Sequence, residues 1–275
     1  MSVRLLATDL DGTLVGSDGL VSANNRAALQ RAAAAGLLVV FVTGRPPRWL
    51  GEIGDATGHT GIAVASNGAV LYDLAADRTV SEHVLSPELM RVLTSELRAA
   101  FPAVYFGVEY GTNFGHEPGY RHDWEISPSH DRRGNPMQPP LVAALEDVIA
   151  RPAVKLLAKD READPDRFWH DASTLLAGRA SVTHASSYGL LEIAPPGVTK
   201  ASGLAEVAAS HGIGPEEVAA VGDMPNDLPM LQWAGTSYAV ANAHPAVLAA
   251  ADHVIGSNDE DAVGALIDDT LSTLT

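Results

Sequence analysis

The feature that most constrains the fold is a series of short apolar runs, each followed directly by polar residues. In the first third of the chain these runs cover residues 3–8, 37–42 and 62–65. Between the first two lies an Ala-rich helical pattern, which begins after Ser22 as an N-cap and ends at Gly36. Short apolar runs that alternate with helices are typical of buried parallel strands in a βαβ arrangement. The sequence therefore predicts an α/β fold with a parallel-sheet core.

The same alternation returns near the C-terminus, where a helical pattern over 202–211 precedes apolar runs at 218–221, 238–240 and 253–255. Polar residues again follow the runs, and in open α/β sheets ligands bind outside the carboxyl ends of the strands. We therefore expect the functional site at this edge of the sheet.

The middle of the chain differs in composition and predicts a second domain. It has helical patterns at 87–100 and 166–176, and between them a segment rich in Gly, Pro, His and aromatic residues. We expect an α+β domain over 86–193 that is inserted into a core formed by 1–85 and 194–275.

The charge distribution excludes several classes of partner and chemistry. The formal net charge is −16, and no Lys or Arg follows Lys200. Nucleic acids and anionic membranes need clustered basic residues, so we expect neither as a partner. The chain has no Cys, which excludes disulfides, thiol catalysis and zinc–thiolate sites. Asp9 and Asp11 interrupt the apolar stretch that a signal peptide needs, and no apolar run approaches the ~20 residues of a membrane span, so we expect a cytoplasmic protein.

Two carboxylates lie at the end of the first apolar run, in the sequence Asp9-Leu10-Asp11-Gly12-Thr13. Side chains at i and i+2 of an extended chain project to the same side, and neighbouring carboxylates ionise together only when a cation or proton relieves their repulsion. A calcium-binding loop does not fit, because it needs other residue types where Thr13, Leu14 and Leu20 stand. A solvated turn at a strand end is the alternative.

A second acidic cluster, Gly222-Asp223-Met224-Pro225-Asn226-Asp227, follows the run at 218–221. If that run and the first one are neighbouring parallel strands, four carboxylates converge. Such a set favours a hard divalent cation with oxygen ligands, and Mg²⁺ suits a site that stays open to a phosphate group. The alternative for Asp223 and Asp227 is helix N-capping.

Several residues offer contacts to an anion at the same edge of the sheet. Lys200 is one of three lysines and opens a helical pattern, where a cation opposes the helix dipole, so we expect a carboxylate or phosphate beside it. Thr43 and Gly44 offer a hydroxyl and a backbone N–H, although an ordinary strand-to-loop turn is the simpler explanation. Arg45 could contact substrate or pair with a surface acid. The dipeptide Asn67-Gly68 predicts a type I′ hairpin turn, with a contact to substrate as a second possibility.

Taken together, these motifs resemble the haloacid dehalogenase superfamily of phosphohydrolases. The match rests on Asp-Leu-Asp-Gly-Thr at 9–13, Thr43, Lys200 and Gly-Asp-Met-Pro-Asn-Asp at 222–227, in that order along most of the chain. The large insertion and the segment Ser66-Asn67-Gly68-Ala69 resemble the Cof-type branch of the superfamily. The resemblance implies a Rossmann-like parallel-sheet core with an inserted α+β cap domain.

The resemblance also implies a role for each matching residue. Asp9 would be the nucleophile that takes the phosphoryl group as an aspartyl-phosphate, and Asp11 would protonate the leaving alcohol and then deprotonate water. Thr43 and Lys200 would act in catalysis by holding the phosphoryl oxygens. The full set of phosphate- or substrate-binding candidates is Asp9, Gly12, Thr43, Gly44, Arg45, Asn67, Lys200 and Asn226. The candidates for holding Mg²⁺ are Asp9, Asp11 through its backbone carbonyl, Asp223, Asn226 and Asp227.

The implied function is a Mg²⁺-dependent phosphatase that hydrolyses a small, sugar-phosphate-like metabolite. Two alternatives stay open: a phosphomutase of the same superfamily, and a phosphate-binding protein without turnover. A halide-displacing enzyme would share the nucleophile, but Asp11 and the cluster at 222–227 favour phosphoryl transfer. No Walker A, GxGxxG, GxSxG or HExxH motif is present, which argues against nucleotide triphosphatases, dinucleotide enzymes, serine hydrolases and zinc hydrolases.

The predicted cap carries a group of basic and aromatic residues that could form a specificity surface for a sugar or base. Its members are His116, Tyr120, Arg121, His122, Trp124 and His130. The alternative is that they lie on exposed strands and loops of an ordinary α+β domain. The sequence identifies neither the leaving group nor the oligomeric state.

Overall fold

The computed structural model describes residues 3–120, 138–184 and 188–274. Its strands are β1 (Leu5–Thr8), β2 (Leu38–Phe41), β3 (Ile62–Ala65), β4 (Val70–Asp73), β5 (Arg78–Glu82), β6 (Tyr105–Glu109), β7 (Phe114–His116), β8 (Leu141–Val142), β9 (Lys155–Lys159), β10 (Ser181–Thr183), β11 (Leu190–Ala194), β12 (Val218–Gly222), β13 (Thr236–Ala239) and β14 (His253–Val254). Its α-helices are α1 (Ala23–Ala35), α2 (Leu50–Thr57), α3 (Pro87–Ala100), α4 (Leu145–Val148), α5 (Pro165–Leu175), α6 (Lys200–Ser210), α7 (Leu228–Trp233), α8 (Pro245–Ala250) and α9 (Ala262–Leu274).

The core is a five-stranded parallel sheet in the order β14-β13-β12-β1-β2. Strand β1 lies inside the sheet between β12 and β2, with Thr8 opposite Val221 of β12 on one side and Phe41 of β2 on the other. All four residues of β1 are buried, as expected for a strand covered on both faces of a parallel sheet. The predicted α/β class and parallel-sheet core are confirmed.

The third apolar run departs from the predicted parallel series. Strand β3 makes a single parallel bridge to the core sheet, between Val64 and Val42, and otherwise pairs antiparallel with β4. The turn at residues 66–69 causes this arrangement. It reverses the chain directly after the four residues of β3, so β4 returns antiparallel beside β3. Asn67 and Gly68 have φ of 57° and 97°, and the Ala69 N–H donates to the Ser66 carbonyl, which is the type I′ turn that the sequence predicted.

A second sheet of six strands, in the order β10-β11-β9-β6-β7-β8, forms the cap domain that the sequence predicted. Alternate side chains of its central strands, such as Phe106, Leu156 and Ile193, are buried with the apolar faces of α3 and α5. The other face of these strands carries Lys155 and Glu192 and is turned toward the core. The exact domain boundaries, at 85/86 and 193/194, stay a prediction.

Local signals explain where the helices begin and end. Ser22 caps α1 by accepting from the Asn25 N–H, and Gly36 ends it with φ 78°. Helix α6 begins at Lys200, two residues before the predicted start, because Thr199 and Ser202 form a reciprocal capping box. Among the described residues, no helix combines the length and the apolar character needed to cross a membrane. The cytoplasmic location stays a prediction.

Candidate active site

Three carboxylates meet at the carboxyl ends of the two central strands. Asp9 directly follows β1, Asp223 directly follows β12, and Asp227 lies one turn beyond. Each offers an oxygen within 4.8 Å of the others. Because β1 and β12 are adjacent and in register, the Asp9 N–H donates to the Val221 carbonyl at 3.0 Å, which holds the two strand ends together.

Lys200 supplies the cation within this group. Its side chain is fully buried, and its Nζ donates to Asp9 Oδ1 at 2.7 Å and to Asp227 Oδ1 at 2.6 Å. Burial alone would lower the pKa of Lys200, but the attraction of Asp227 and Asp9 outweighs it and raises the pKa above its ordinary value. The ammonium group therefore stays charged at any physiological pH.

Asp227 also fixes the loop that carries Asp223. Its Oδ1 accepts from Lys200, while its Oδ2 accepts from the backbone N–H groups of Asp223 and Met224 at 2.9 and 3.0 Å. Both oxygens are therefore engaged by the protein, which suits a positioning residue better than a direct metal ligand.

The site carries more negative charge than Lys200 alone balances. Burial raises the pKa of Asp9 well above its usual range, and repulsion from Asp227 and Asp223 adds to the shift while Lys200 opposes it. Burial likewise raises the pKa of Asp223 to about 7, with repulsion from Asp227 as the next cause. Such raised pKa values indicate a place where a bound cation would stabilise the ionised carboxylates.

The donor set fits a magnesium ion. Carboxylate oxygens are the ligands that Mg²⁺ prefers, and Asp9 and Asp223 present them side by side. The absence of a side chain at Gly12 lets the Asp223 carboxylate lie close to the backbone of this loop. The φ of Gly12 is 76°, and a Cβ there would lie 2.4 Å from Asp223 Oδ2. Asn226 adds a buried Oδ1 that accepts no hydrogen bond from the part of the chain that the structure describes.

Asp11 does not join the other carboxylates, so three converge rather than the four that the sequence predicted. Its side chain is 60% exposed, and Arg45 holds both of its oxygens, with Nε 2.8 Å from Oδ2. The prediction assumed an extended chain from Asp9 to Asp11, in which both side chains project to the same side. It fails because β1 ends at Thr8 and the chain turns at Gly12. Arg45 thus pairs with an acid, one of its two predicted roles.

The second strand end adds further polar groups. Thr43 is buried, and its Oγ1 accepts from the Arg45 N–H at 3.0 Å. The Gly44 carbonyl accepts from Lys155 Nζ at 2.7 Å. A Cβ on Gly44 would lie 3.2 Å from Asn67 Oδ1, so the loop after β2 and the hairpin turn are in close contact.

Asn67 connects three parts of the molecule. Its Oδ1 accepts from Asn226 Nδ2 at 3.1 Å, and its Nδ2 donates to Glu192 Oε2 of the cap at 2.9 Å. Sequence reasoning missed Glu192 and gave Lys155 no role. The available signal was weak: a charged residue inside an otherwise apolar strand.

The predicted specificity surface is only partly described. His116 and Tyr120 are buried and pack on Phe114, with the His116 and Tyr120 ring centroids 5.7 Å apart, so these two side chains are not exposed, and their part in specificity stays a prediction. The remaining predicted members lie outside the described residues; they are Arg121, His122, Trp124 and His130.

A cavity of about 270 Å³ lies between core and cap beside these residues. Lys200, Asn226 and Asn67 line it on the core side, and Trp169 and Val182 line it on the cap side. A partly apolar space, of the kind in which small molecules bind, therefore lies beside the carboxylate group.

A family model described as haloacid dehalogenase-like hydrolase matches residues 6–267. The chain belongs to this family. Its resemblance to the Cof-type branch is thereby confirmed, and the chain is an enzyme of the hydrolase class.

Individual relatives agree with this family. The chain is 26% identical over 287 residues to the 5-amino-6-(5-phospho-D-ribitylamino)uracil phosphatase YwtE of Bacillus subtilis (strain 168), covering 98% of this chain and 99% of that protein. It is 29% identical over 269 residues to the chloroplastic endoribonuclease YBEY of Arabidopsis thaliana, but spans only 44% of its length. The crystal structure of SMU.1108c from Streptococcus mutans UA159 has a TM-score of 0.81 at 25% identity, covering 98% of this chain and all of that one.

Proposed function

We propose that the protein is a Mg²⁺-dependent phosphatase that hydrolyses a small phosphorylated metabolite through an aspartyl-phosphate. The observation that carries the proposal is the buried Asp9 carboxylate, which Lys200 holds at 2.7 Å beside the oxygens of Asp223 and Asp227. A binding protein needs no buried carboxylate facing an anionic ligand, whereas phosphoryl transfer to a carboxylate does.

Asp9 is the proposed nucleophile. A carboxylate and a phosphate repel each other, so the site must supply positive charge where the phosphoryl group is transferred. Bound Mg²⁺, held by Asp9, Asp223 and the Asp11 carbonyl with support from Asn226 and Asp227, would supply most of this charge. Lys200 supplies the rest, and its contact with Asp9 Oδ1 directs the carboxylate.

Asp11 is the proposed acid and base. It is the carboxylate of the pair that lies at the mouth of the site, and Arg45 fixes its direction. In this role Asp11 gives a proton to the leaving alcohol and later takes one from water. The Thr43 hydroxyl, the Gly44 N–H, Gly12 and Asn67 would bind the phosphoryl oxygens at the surrounding strand ends.

The substrate class follows from the relatives and the cleft together. YwtE is named as a phosphatase of a phosphorylated ribityl compound. The cavity between core and cap is large enough for a leaving group of similar kind. We infer a phosphomonoester of a small organic alcohol as substrate.

The proposal is tested by phosphate release from p-nitrophenyl phosphate with and without Mg²⁺. We expect Mg²⁺-dependent turnover by the natural protein, and a loss of at least about 1,000-fold in Asp9→Asn, because the nucleophile is removed. Asp18→Asn is the matched control, since it makes the same change on an exposed loop nearby. Circular dichroism verifies that each variant is folded.

The outcomes separate the alternatives. Free phosphate supports a hydrolase, and an isomeric sugar phosphate from a sugar phosphate substrate would identify a phosphomutase. Binding of phosphate without any turnover would identify a binding protein. Full activity of Asp9→Asn would show that another group is the nucleophile.

A further inference from the structure

Two charged residues of the cap stand directly over the catalytic loops. Lys155 of β9 and Glu192 of β11 lie on the same face of the cap sheet, because Glu192 is opposite Leu157, two residues from Lys155. The Lys155 ammonium donates to Glu192 Oε1 and to the Gly44 carbonyl, the latter at 2.7 Å. The other Glu192 oxygen accepts from Asn67 at 2.9 Å. The pair therefore contacts two loops proposed to bind phosphate.

The pair also lies in the wall between two spaces in the cleft. One is the cavity of about 270 Å³ that Lys200 and Asn226 line. The other is a cavity of about 80 Å³ lined by Gly44 and several aromatic residues. Lys155 and Glu192 line both. A leaving group that extends from the phosphate site into either space therefore lies beside this pair.

Cations around the cleft already have carboxylate partners. Four cations each have a carboxylate partner, in the pairs Lys200–Asp9, Lys155–Glu192, Arg45–Asp11 and Arg48–Glu109. A leaving group with its own negative charge would meet these carboxylates as well as the cations. A neutral group that both donates and accepts hydrogen bonds would satisfy a carboxylate and an ammonium at once.

We propose that Lys155 and Glu192 are the residues that determine specificity for the leaving group, selecting a neutral alcohol with hydroxyl groups close to the phosphate. The inference rests on the proposed function. A hydroxyl donates to Glu192 and accepts from Lys155, so the buried pair stays hydrogen-bonded when substrate enters. An alkyl group in the same place covers the exposure that Glu192 retains and offers no hydrogen bond in return, and an anionic group meets the Glu192 carboxylate as well as the ammonium.

The test compares ribitol 5-phosphate, n-pentyl phosphate and p-nitrophenyl phosphate as substrates. For the natural protein we expect kcat/KM for ribitol 5-phosphate to exceed that for n-pentyl phosphate by about tenfold or more. Glu192→Gln lowers this ratio by about tenfold, because a neutral amide is a weaker acceptor. Glu162→Gln, the same change at an exposed cap residue, keeps the natural ratio.

Glu192→Gln alone leaves the Lys155 ammonium without the Glu192 carboxylate and could misfold for that reason, so a double variant is tested as well. Lys155→Met combined with Glu192→Gln removes both charges, and we expect its preference to move toward n-pentyl phosphate. The specificity inference is overturned if the natural protein hydrolyses both alkyl and polyol phosphates equally well, or if the variants lower all three rates by one common factor. Absence of turnover with every substrate, p-nitrophenyl phosphate included, would instead overturn the proposed function and this inference with it.

Discussion

At the scale of single residues, the site buries three carboxylates beside one ammonium group, so its negative and positive charges are unequal. Asp9, Asp223 and Asp227 are each less than a tenth exposed, and within the described part of the chain Lys200 is the cation that contacts two of them. The raised pKa values of Asp9 and Asp223 express the cost of ionising this group. Stability and metal binding should therefore depend on pH in a coupled way.

The first prediction at this scale concerns pH and Mg²⁺. Because the pKa of Asp223 is raised to about 7, the folded protein binds more protons than the unfolded chain between about pH 4 and pH 7. This group's contribution to stability is fully present below pH 4 and is lost as pH rises through 7. Mg²⁺ binds the ionised form, so at about ten times its dissociation constant it should raise the Tm by about 3–6 °C at pH 8 and by much less at pH 5.

Thermal melts of two variants check this prediction. Asp223→Asn removes both the titrating group and a metal ligand, so Mg²⁺ should no longer raise the Tm at pH 8. Asp269→Asn, on the exposed face of α9, should respond to Mg²⁺ as the natural protein does. An equal Mg²⁺ effect at both pH values would contradict the assigned cause.

At the scale of secondary-structure elements, the hairpin turn between β3 and β4 positions the start of α6. A Cβ on Gly68 would lie 2.0 Å from the Thr199 carbonyl oxygen, and a Cβ on Gly203 would lie 2.5 Å from Val64. The close approach seats the first turn of α6 against the core sheet. Lys200 is the first residue of that helix, so the turn sets where its ammonium group lies.

The prediction at this scale compares two glycines with positive φ. Gly68→Ala should lower the free energy of unfolding by about 3 kcal/mol or more, because a backbone collision adds to the unfavourable φ of 97°. It should also lower kcat, because α6 must move. Gly58 has φ 70°, and a Cβ added there would meet no atom within 4 Å. For Gly58→Ala we therefore expect a loss of about 1 kcal/mol in the free energy of unfolding and no change in kcat. Urea unfolding and p-nitrophenyl phosphate assays measure both; equal losses would show that the close approach does not matter.

At the scale of the whole molecule, buried polar contacts join core and cap. Arg48 precedes α2 in the core and Glu109 ends β6 in the cap, and their side chains are 1% and 5% exposed. Arg48 Nη2 donates to Glu109 Oε1 at 2.9 Å. Together with the contacts of Lys155 and Glu192, this pair joins the core to the cap through buried charged groups.

The prediction at this scale compares two ion pairs of different burial. Glu109→Gln removes the carboxylate of this buried ion pair, so we expect a loss of about 3–5 kcal/mol in the free energy of unfolding. Glu96→Gln breaks a pair with Arg179 whose side chains are 35% and 39% exposed, and about 0.2–1 kcal/mol is expected. Chemical denaturation measures both. Comparable losses would show that the pair at the core–cap contact is as well solvated as the surface pair.

The sequence predicted the parts of this molecule that depend on local pattern. The apolar runs indicated the parallel sheet, and the polar residues that follow them indicated the edge at which three carboxylates meet. The isolated Lys200 indicated an anion beside it, and two carboxylates lie there. Motifs at strand ends can be predicted from the sequence because the strand, the turn after it and the polar residues of the turn follow one another along the chain.

What the sequence did not predict depends on tertiary contact. Lys155 reaches Gly44 across 111 positions of the chain, and no local pattern announces such a contact. The placement of Asp11 with the other carboxylates was wrong because strand alternation was extended past Thr8, where the strand ends. Strand β3 was placed in the parallel series because a short apolar run does not show which neighbour it will pair with.

The hydrogen bond from Lys155 to the Gly44 carbonyl has a consequence for turnover. Separating the two domains would break this bond, the one between Asn67 and Glu192 and the Arg48–Glu109 pair, so the polar groups of all three contacts would have to be rehydrated. Gly44 directly follows Thr43, which is proposed to bind phosphoryl oxygens. A phosphate that shifts the loop at Thr43 would therefore also shift the Gly44 carbonyl that Lys155 of the cap contacts. If phosphate bound at this loop favours the contact with the cap, thermodynamic reciprocity requires that this contact strengthens phosphate binding by the same factor.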